Sequence, residues 1–342
     1  MKPTPPFSRQ IKDSSRREWL AQAGLATLGA TLLARRALGV TATPTGVVAP
    51  KRVLFFSKSS DFVHDVVNRH GQPLSMAERI LSENGPAHGI AFTFSKDGSL
   101  FTPEYLAGFD AFCFYTSGDL FAASKKVPGG FPGDDNPPMT PAGKAALLEA
   151  VKGGKGFVGT HSAADTFHTG ETVATDTRQL RTWRFHNFGA DADPYTRMLG
   201  AGFILHGAQQ VSTMRVIDPA FPGFGGLGAG FSRKDEWYSL NDFSRDLHVL
   251  LVQETAGMQG TPYQRPPYPA TWARRHGQGR VFYTSMGHGD NALPGGNSWL
   301  QPIFLQILFG GLSWATGQVD ADITPNIEQV TPGAWTLPPV GK

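Results

Sequence analysis

The sequence is poor in cysteine and in charge. Its 342 residues contain a single cysteine, Cys113, and only 17% of them are Asp, Glu, Lys or Arg. One thiol cannot form an intramolecular disulfide. Cys113 stands in the apolar run 111–115, which is typical of a buried strand, so we predict a packing role for it rather than a reactive one.

Short catalytic motifs are lacking as well. The chain has no His-Glu-x-x-His pair, which would hold two metal ligands on one helix. Ser162 does not stand in a Gly-x-Ser-x-Gly nucleophile elbow, because Thr160 and Ala164 occupy the two glycine positions. The same turn carries His161 where a glutamine amidotransferase needs its cysteine. Nucleophilic catalysis at this turn is therefore disfavoured.

The surplus of basic residues is confined to the N-terminus. Residues 1–42 contain seven of the 31 Lys and Arg but only two of the 28 Asp and Glu, which leaves 24 basic and 26 acidic residues in the rest of the chain. That remainder is close to neutral. We therefore expect no nucleic-acid partner.

Residues 1–42 have the pattern of a twin-arginine signal peptide. The pair Arg16-Arg17 precedes the weakly apolar run 20–33, and small residues surround Ala42. The run is too short and too rich in glycine and alanine to span a bilayer stably. We expect export by the twin-arginine (Tat) machinery, a periplasmic or secreted protein, and no stable membrane insertion after signal removal. Residues 43–50 are interpreted as a linker.

The next part of the chain alternates between strand and helix patterns. Apolar runs at 51–57, 89–95, 111–116 and 156–160 predict strands, and a helix over 142–152 follows the Thr140-Pro141 cap. This alternation predicts an α/β fold with a flavodoxin-like parallel sheet flanked by helices. Strand patterns with few helices between them then predict an antiparallel extension, at residues 210–217, 236–240, 248–253, 270–275 and 280–286. We expect one domain over 51–318, with a final helix at 298–316, and an irregular tail over 319–342.

Polar side chains follow the predicted strands at their ends. His161 and Asp165 follow the central strand, His64 follows the first strand, and His288 follows the last. Ligands of open α/β sheets bind beyond the carboxyl ends of the strands, so these side chains are expected to converge. His206 and Glu236 can join them from loops, and Asp119 follows the third strand.

Two chemistries remain open for these residues. Neutral imidazoles with a carboxylate are ligands for zinc or a related divalent ion. The same groups can act as acids and bases without a metal, because imidazole titrates near neutrality. The aromatic residues also allow two interpretations, since Trp237, Tyr238 and Trp272 can belong to the core or form a stacking wall for a sugar ring.

Six ordered blocks of sequence resemble the ThuA-like (trehalose utilisation) family. The resemblance runs from about residue 52 to residue 317, and its most specific blocks are Gly159–His168, Asp235–Tyr238 and Gly279–His288. It implies a class I glutamine-amidotransferase-like fold without the amidotransferase cysteine. It also implies a role in carbohydrate catabolism, in steps that involve oxidised (3-keto) disaccharides or glycosides.

The residue pattern and the resemblance together give expected roles for individual residues. Catalytic roles are expected for His161, Asp165, Glu236 and His288. Substrate binding is expected for His64, Asp119, Trp237, Tyr238 and Trp272, and one divalent metal, zinc or similar, is expected on His64, His161, His206 and Glu236. No nucleotide cofactor is evident. An exported enzyme for a small sugar derivative, an isomerase, lyase or hydrolase, is the leading hypothesis, and a non-catalytic sugar-binding or scaffolding protein is the alternative.

Overall fold

The computed structural model describes residues 49–124, 131, 136–167, 192–289 and 296–339. The predicted signal peptide and most of the predicted linker lie outside these residues. The strands are β1 Lys51–Phe56, β2 Ile90–Ser95, β3 Ala111–Phe114, β4 Gly156–Thr160, β5 Gly202–His206, β6 Gln210–Val216, β7 Gly230–Asp235, β8 Tyr238–Asn241, β9 His248–Gln253, β10 Tyr268–His276 and β11 Gly279–Thr284. The helices are α1 Met76–Asn84, α2 Pro103–Ala107, α3 Pro141–Lys152, α4 Pro194–Leu199, α5 Pro302–Ala315 and α6 Ile327–Val330.

Nine of these strands form one mixed sheet. Its order is β2-β1-β3-β4-β11-β10-β9-β6-β7. The strands from β2 to β11 in this order run parallel, and each later neighbour pairs antiparallel. The α/β class with an antiparallel extension is thereby confirmed. β5 and β8 form a separate antiparallel pair.

The two central parallel strands, β3 and β4, are buried on both faces. Every residue of β3 and β4 is buried, which explains why both sequences are continuous apolar runs rather than alternating ones. A Cβ at Gly156 would lie 2.4 Å from the carbonyl oxygen of Ala315, so glycine lets the end of α5 pack directly on β4.

Local signals fix the helix ends. Thr140 accepts a hydrogen bond from the Gly143 amide, and Pro141 starts α3 as the sequence predicts. The predicted helix 298–316 is interrupted, because a 3₁₀ turn over Ser298–Leu300 precedes α5. None of the described helices is long and apolar enough to cross a membrane.

Several elements differ from the sequence prediction. β7 was not expected, because its polar, partly exposed residues lack the apolar alternation of a half-buried strand. The strand expected at 236–240 begins only at Tyr238, so Glu236 lies in the connection between β7 and β8. The segment after residue 318, which was predicted to be irregular, contains α6, whose Ile327 is buried.

Candidate functional site

Three histidines lie just beyond the carboxyl ends of parallel strands. His64 follows β1, His161 follows β4 directly, and His288 follows β11. β1, β4 and β11 run in the same direction, so their carboxyl ends meet at one edge of the sheet. Glu236 reaches the same place from the β7–β8 connection. The sequence prediction that these side chains converge is met by the geometry.

The four side chains form one compact cluster. One ligand-type atom from each of His64, His161, Glu236 and His288 lies within 4.8 Å of the others. The His161 Nε2 atom is 3.4 Å from Glu236 Oε2, and the His288 Nε2 atom is 3.8 Å from Glu236 Oε1. These separations are longer than charge-assisted hydrogen bonds, which measure about 2.7–2.9 Å. The imidazoles therefore surround the carboxylate at distances longer than those of charge-assisted hydrogen bonds.

His161 is held in one orientation by the backbone. Its φ of 46° lies in the left-handed region, which is uncommon for a residue other than glycine. Its Nδ1 lies 3.0 Å from the Ser285 carbonyl oxygen, and Tyr283 donates a hydrogen bond of 2.8 Å to the His161 carbonyl. A carbonyl only accepts, so Nδ1 donates this hydrogen bond, and Nε2 is the ring nitrogen that faces Glu236.

Burial and neighbouring charges shift two pKa values in the cluster. Burial lowers the pKa of His64 well below its usual range, and the nearby His161 and His288 lower it further. Burial by itself would raise the pKa of Glu236, but His161, His288 and His206 together hold that pKa well below its usual range. The site therefore presents a neutral His64 and an ionised Glu236 at neutral pH.

The cluster fits a divalent metal ion. His64 Nδ1 and His161 Nε2 are buried and make no hydrogen bond within the described residues. An unsatisfied buried polar atom costs about 1–3 kcal/mol, so two of them in one cluster indicate that a ligand completes it. Three imidazole nitrogens and one carboxylate form a donor set that zinc and similar ions take. His288 belongs to this set, although the sequence analysis gave it a catalytic role only.

His206 lies at the rim rather than in the cluster. Its side chain is 44% exposed, and its Nδ1 is 3.4 Å from Glu236 Oε1. The same Nδ1 is 2.9 Å from the Gly207 carbonyl oxygen. His206 ends β5 opposite Tyr238 of β8, so this strand pair holds it on the exposed side of Glu236. The compact cluster therefore contains His288 and not His206, which the sequence analysis had placed in the metal set.

The two predicted aspartates lie outside the cluster. Asp165 is half-buried at the end of the 3₁₀ turn that starts at His161, and its amide bonds to the Ser162 carbonyl. The Asp165 charge acts on Tyr238, whose pKa is raised by burial first and by Glu236 and Asp165 next. Asp119 accepts a hydrogen bond from the Phe121 amide and so closes its own turn.

The expected sugar-stacking wall is not formed by the two tryptophans. Trp237 and Trp272 are fully buried, and their indole N–H groups donate to the carbonyls of Gln210 and Leu199. Both are core residues, which corrects their predicted substrate-binding role. Tyr238 packs against His161 with ring centroids 4.2 Å apart.

A different aromatic residue lies beside the site. Phe62 is 37% exposed, and its ring centroid is 4.9 Å from that of His64. Sequence reasoning missed it, although it stands two residues before His64. An aromatic residue two positions before a predicted site residue is the sequence signal that would have found it.

Ser162 gives no support to nucleophilic catalysis. Its hydroxyl oxygen is buried and has no hydrogen-bond partner among the described residues. A serine nucleophile needs a base within hydrogen-bonding reach. The low weight that the sequence gave to this chemistry agrees with this geometry.

Comparisons with known proteins bear on the fold and the family. The sequence profile of the ThuA family, described as trehalose utilisation, matches residues 52–315. The structure is similar to a ThuA-like protein from Parabacteroides merdae, with a TM-score of 0.51, 16% identity and coverage of 82% of this chain and 96% of that one. A ThuA-like protein from Bacteroides uniformis gives a TM-score of 0.47, 18% identity and coverage of 81% and 97%. Among curated proteins, none matches the sequence.

Proposed function

Because the chain belongs to the ThuA family, whose description points to a carbohydrate-related role, we propose that it is an enzyme acting on an oxidised sugar, a 3-keto glycoside or disaccharide. The observation that carries the proposal is the cluster of His64, His161, Glu236 and His288, in which two buried ring nitrogens make no hydrogen bond to the part of the chain that the structure describes. A site that binds a sugar without catalysing a reaction does not need such a cluster. An isomerase, lyase or hydrolase reaction is compatible with it.

The four residues of the cluster would hold one divalent ion, zinc or similar. When bound, such an ion supplies a Lewis acid that stabilises negative charge on a substrate oxygen. The residues themselves provide a His161 ring oriented by the Ser285 carbonyl, a neutral His64 and a Glu236 that is ionised at neutral pH. His288 completes the set from beyond the carboxyl end of β11.

The proposed chemistry begins with removal of a proton. A 3-keto group acidifies the neighbouring C–H. Loss of that proton leads to isomerisation or to elimination of the glycosidic substituent. His206 is the proposed base. Its Nδ1 donates to the Gly207 carbonyl, which leaves Nε2 of the neutral ring free to accept the proton. Glu236 Oε1, 3.4 Å from His206 Nδ1, stabilises the imidazolium that forms.

Metal content and turnover test this proposal together. Untagged protein is analysed for bound metals, and a panel of 3-keto glucosides is screened for turnover. We expect about one divalent ion per chain, as in other mononuclear sites, and its loss from His161→Ala together with activity. His276→Ala, at the hairpin between β10 and β11, is the matched control and should retain both. Full turnover by His161→Ala would contradict the proposal.

We also propose that the protein is exported. The support is the Arg16-Arg17 pair and the apolar run that follows it. A fusion of residues 1–50 to a reporter should reach the periplasm, and Arg16→Lys combined with Arg17→Lys should retain it in the cytoplasm. Equal export of both fusions would contradict a twin-arginine route.

A further inference from the structure

A buried polar network connects two residues of the cluster, Glu236 and His288. Asp235 is fully buried, and its Oδ1 accepts a hydrogen bond of 2.9 Å from the Glu236 amide. Its Oδ2 accepts a hydrogen bond of 2.5 Å from the Ser298 hydroxyl. The Ser298 amide in turn donates a hydrogen bond of 2.9 Å to the His288 carbonyl. The chain of contacts thus runs from Glu236 through Asp235 and Ser298 to His288.

The direction of these hydrogen bonds is fixed by Arg233. Its Nη2 lies 2.8 Å from the Ser298 hydroxyl oxygen, and its Nε lies 3.7 Å from Asp235 Oδ2. A guanidinium can only donate, so the Ser298 oxygen accepts from Arg233 and must use its own proton toward Asp235. Asp235 is therefore the acceptor of both of its hydrogen bonds, and the Arg233 charge lies beside it.

We propose that Asp235 and Ser298 are positioning residues that fix Glu236 and His288 relative to each other. Neither residue belongs to the cluster, and each is bonded to the backbone of one cluster residue. Glu236 and His288 lie in connections after β7 and β11, which are not neighbours in the sheet. The hydrogen bonds between neighbouring strands therefore do not set the separation of Glu236 and His288. The Asp235–Ser298 hydrogen bond sets it. This inference rests on the proposed function only in taking the cluster as the site.

Two conservative variants test the link. Ser298→Ala keeps the amide bond to His288 and removes the hydroxyl. Asp235→Asn keeps the shape but offers one acceptor oxygen to two donors. Removal of partners behind metal ligands typically lowers metal affinity by about 10- to 100-fold, and we expect that loss of Zn²⁺ affinity in both variants. The double variant should lose little more than either single one, because both break the same link.

Hydrogen exchange provides a readout that needs no metal. In metal-free Ser298→Ala, the peptides that contain Glu236 and His288 should exchange faster together, while the rest of the sheet is unchanged. Thr255→Val is the matched control, since it removes a buried hydroxyl that donates to the Arg265 carbonyl, outside the cluster. It should lower stability without changing Zn²⁺ affinity or exchange at these two peptides.

The outcomes separate this inference from the proposed function. Wild-type protein that binds no Zn²⁺ would count against the proposed metal, and hydrogen exchange alone would then decide the positioning role. If the wild type binds Zn²⁺ and Ser298→Ala changes neither the Zn²⁺ affinity nor the hydrogen exchange, the positioning role is overturned. The proposed function is then left intact. A shifted visible spectrum of the Co²⁺-loaded variant, with its fold retained, would add direct support.

Discussion

The Nδ1 atom of His161 lies 3.0 Å from the carbonyl oxygen of Ser285. This hydrogen bond joins the residue after β4 to the residue after β11, two neighbouring parallel strands. It fixes the tautomer of His161 without using a second side chain. In the proposed metal site, the Ser285 carbonyl would play the part that carboxylates or carbonyls play behind metal-bound histidines.

Replacement of His206 should separate proton transfer from metal binding. A general base contributes on the order of 10²- to 10⁴-fold to the rate, so His206→Gln should lower kcat by that factor. The metal content should stay as in the wild type, because His206 lies at the rim and outside the cluster. Kinetics with 3-keto glucosides and elemental analysis of the same sample check both parts. Loss of the metal from this variant would return His206 to the ligand set.

Acid should destabilise the metal-free protein in two steps. Because the pKa of His64 is lower in the folded state than in the unfolded chain, the unfolded state binds the additional proton as the pH falls below about 6.5. The depressed pKa of Glu236 contributes stability that is present above about pH 4.3 and is lost as the pH falls further. Thermal unfolding in a chelator, from about pH 8 downward, measures both.

A His64→Gln variant isolates the first of these steps. It should lose the decline in stability that begins near pH 6.5 while the more acidic step persists. His88→Gln, at an exposed histidine that stacks on Phe309, is the control and should behave as the wild type. An identical decline in His64→Gln would show that another group causes it.

Much of the fold was predictable because the parallel strands are buried runs. The predicted bounds of β1, β3 and β4 agree with the observed ones within one or two residues. Burial of these strands gives each of them a continuous apolar run, which is easy to recognise in the sequence. β7 was not predicted, since an edge strand with polar residues resembles a loop. Without β7, the sequence could not show that Glu236 lies in a turn.

The site was predictable where it depends on strand ends and not where it depends on loops. His64, His161 and His288 converge because their strands are parallel, which the sequence pattern indicates. The exposed position of His206 depends on the β5–β8 pair, which sequence reasoning did not propose. The link from Asp235 to Ser298 spans 63 residues, and no local pattern reveals such a contact.

A methyl group at Gly289 should disturb the loop that carries His288. A Cβ at this position would lie 1.8 Å from Cγ1 of the Val66 side chain. Overpacking of this kind costs about 1–3 kcal/mol, so Gly289→Ala should lower the free energy of unfolding by that amount and weaken Zn²⁺ binding. Chemical denaturation and Zn²⁺ titration measure the two effects.

Two further variants control this result. Val66→Ala combined with Gly289→Ala removes the clashing atom and should recover part of the lost Zn²⁺ affinity. Gly225→Ala, where no atom lies within 4 Å of the added Cβ, should have little effect. If the double variant binds Zn²⁺ no better than Gly289→Ala alone, the clash with Val66 is not the cause.

Substitution of two aromatic residues should distinguish the core from the substrate surface. Trp272 is fully buried and packs on Tyr283 with ring centroids 4.5 Å apart, so Trp272→Ala should cost about 3–5 kcal/mol of unfolding free energy. Phe62 is partly exposed beside His64, and Phe62→Ala should leave stability nearly unchanged. Loss of one aromatic contact with a sugar ring, about 0.5–1.5 kcal/mol, should raise KM roughly two- to tenfold at similar kcat. Denaturation curves and Michaelis–Menten kinetics on the two variants measure these effects, and an unchanged KM in Phe62→Ala would exclude it as the sugar-stacking residue.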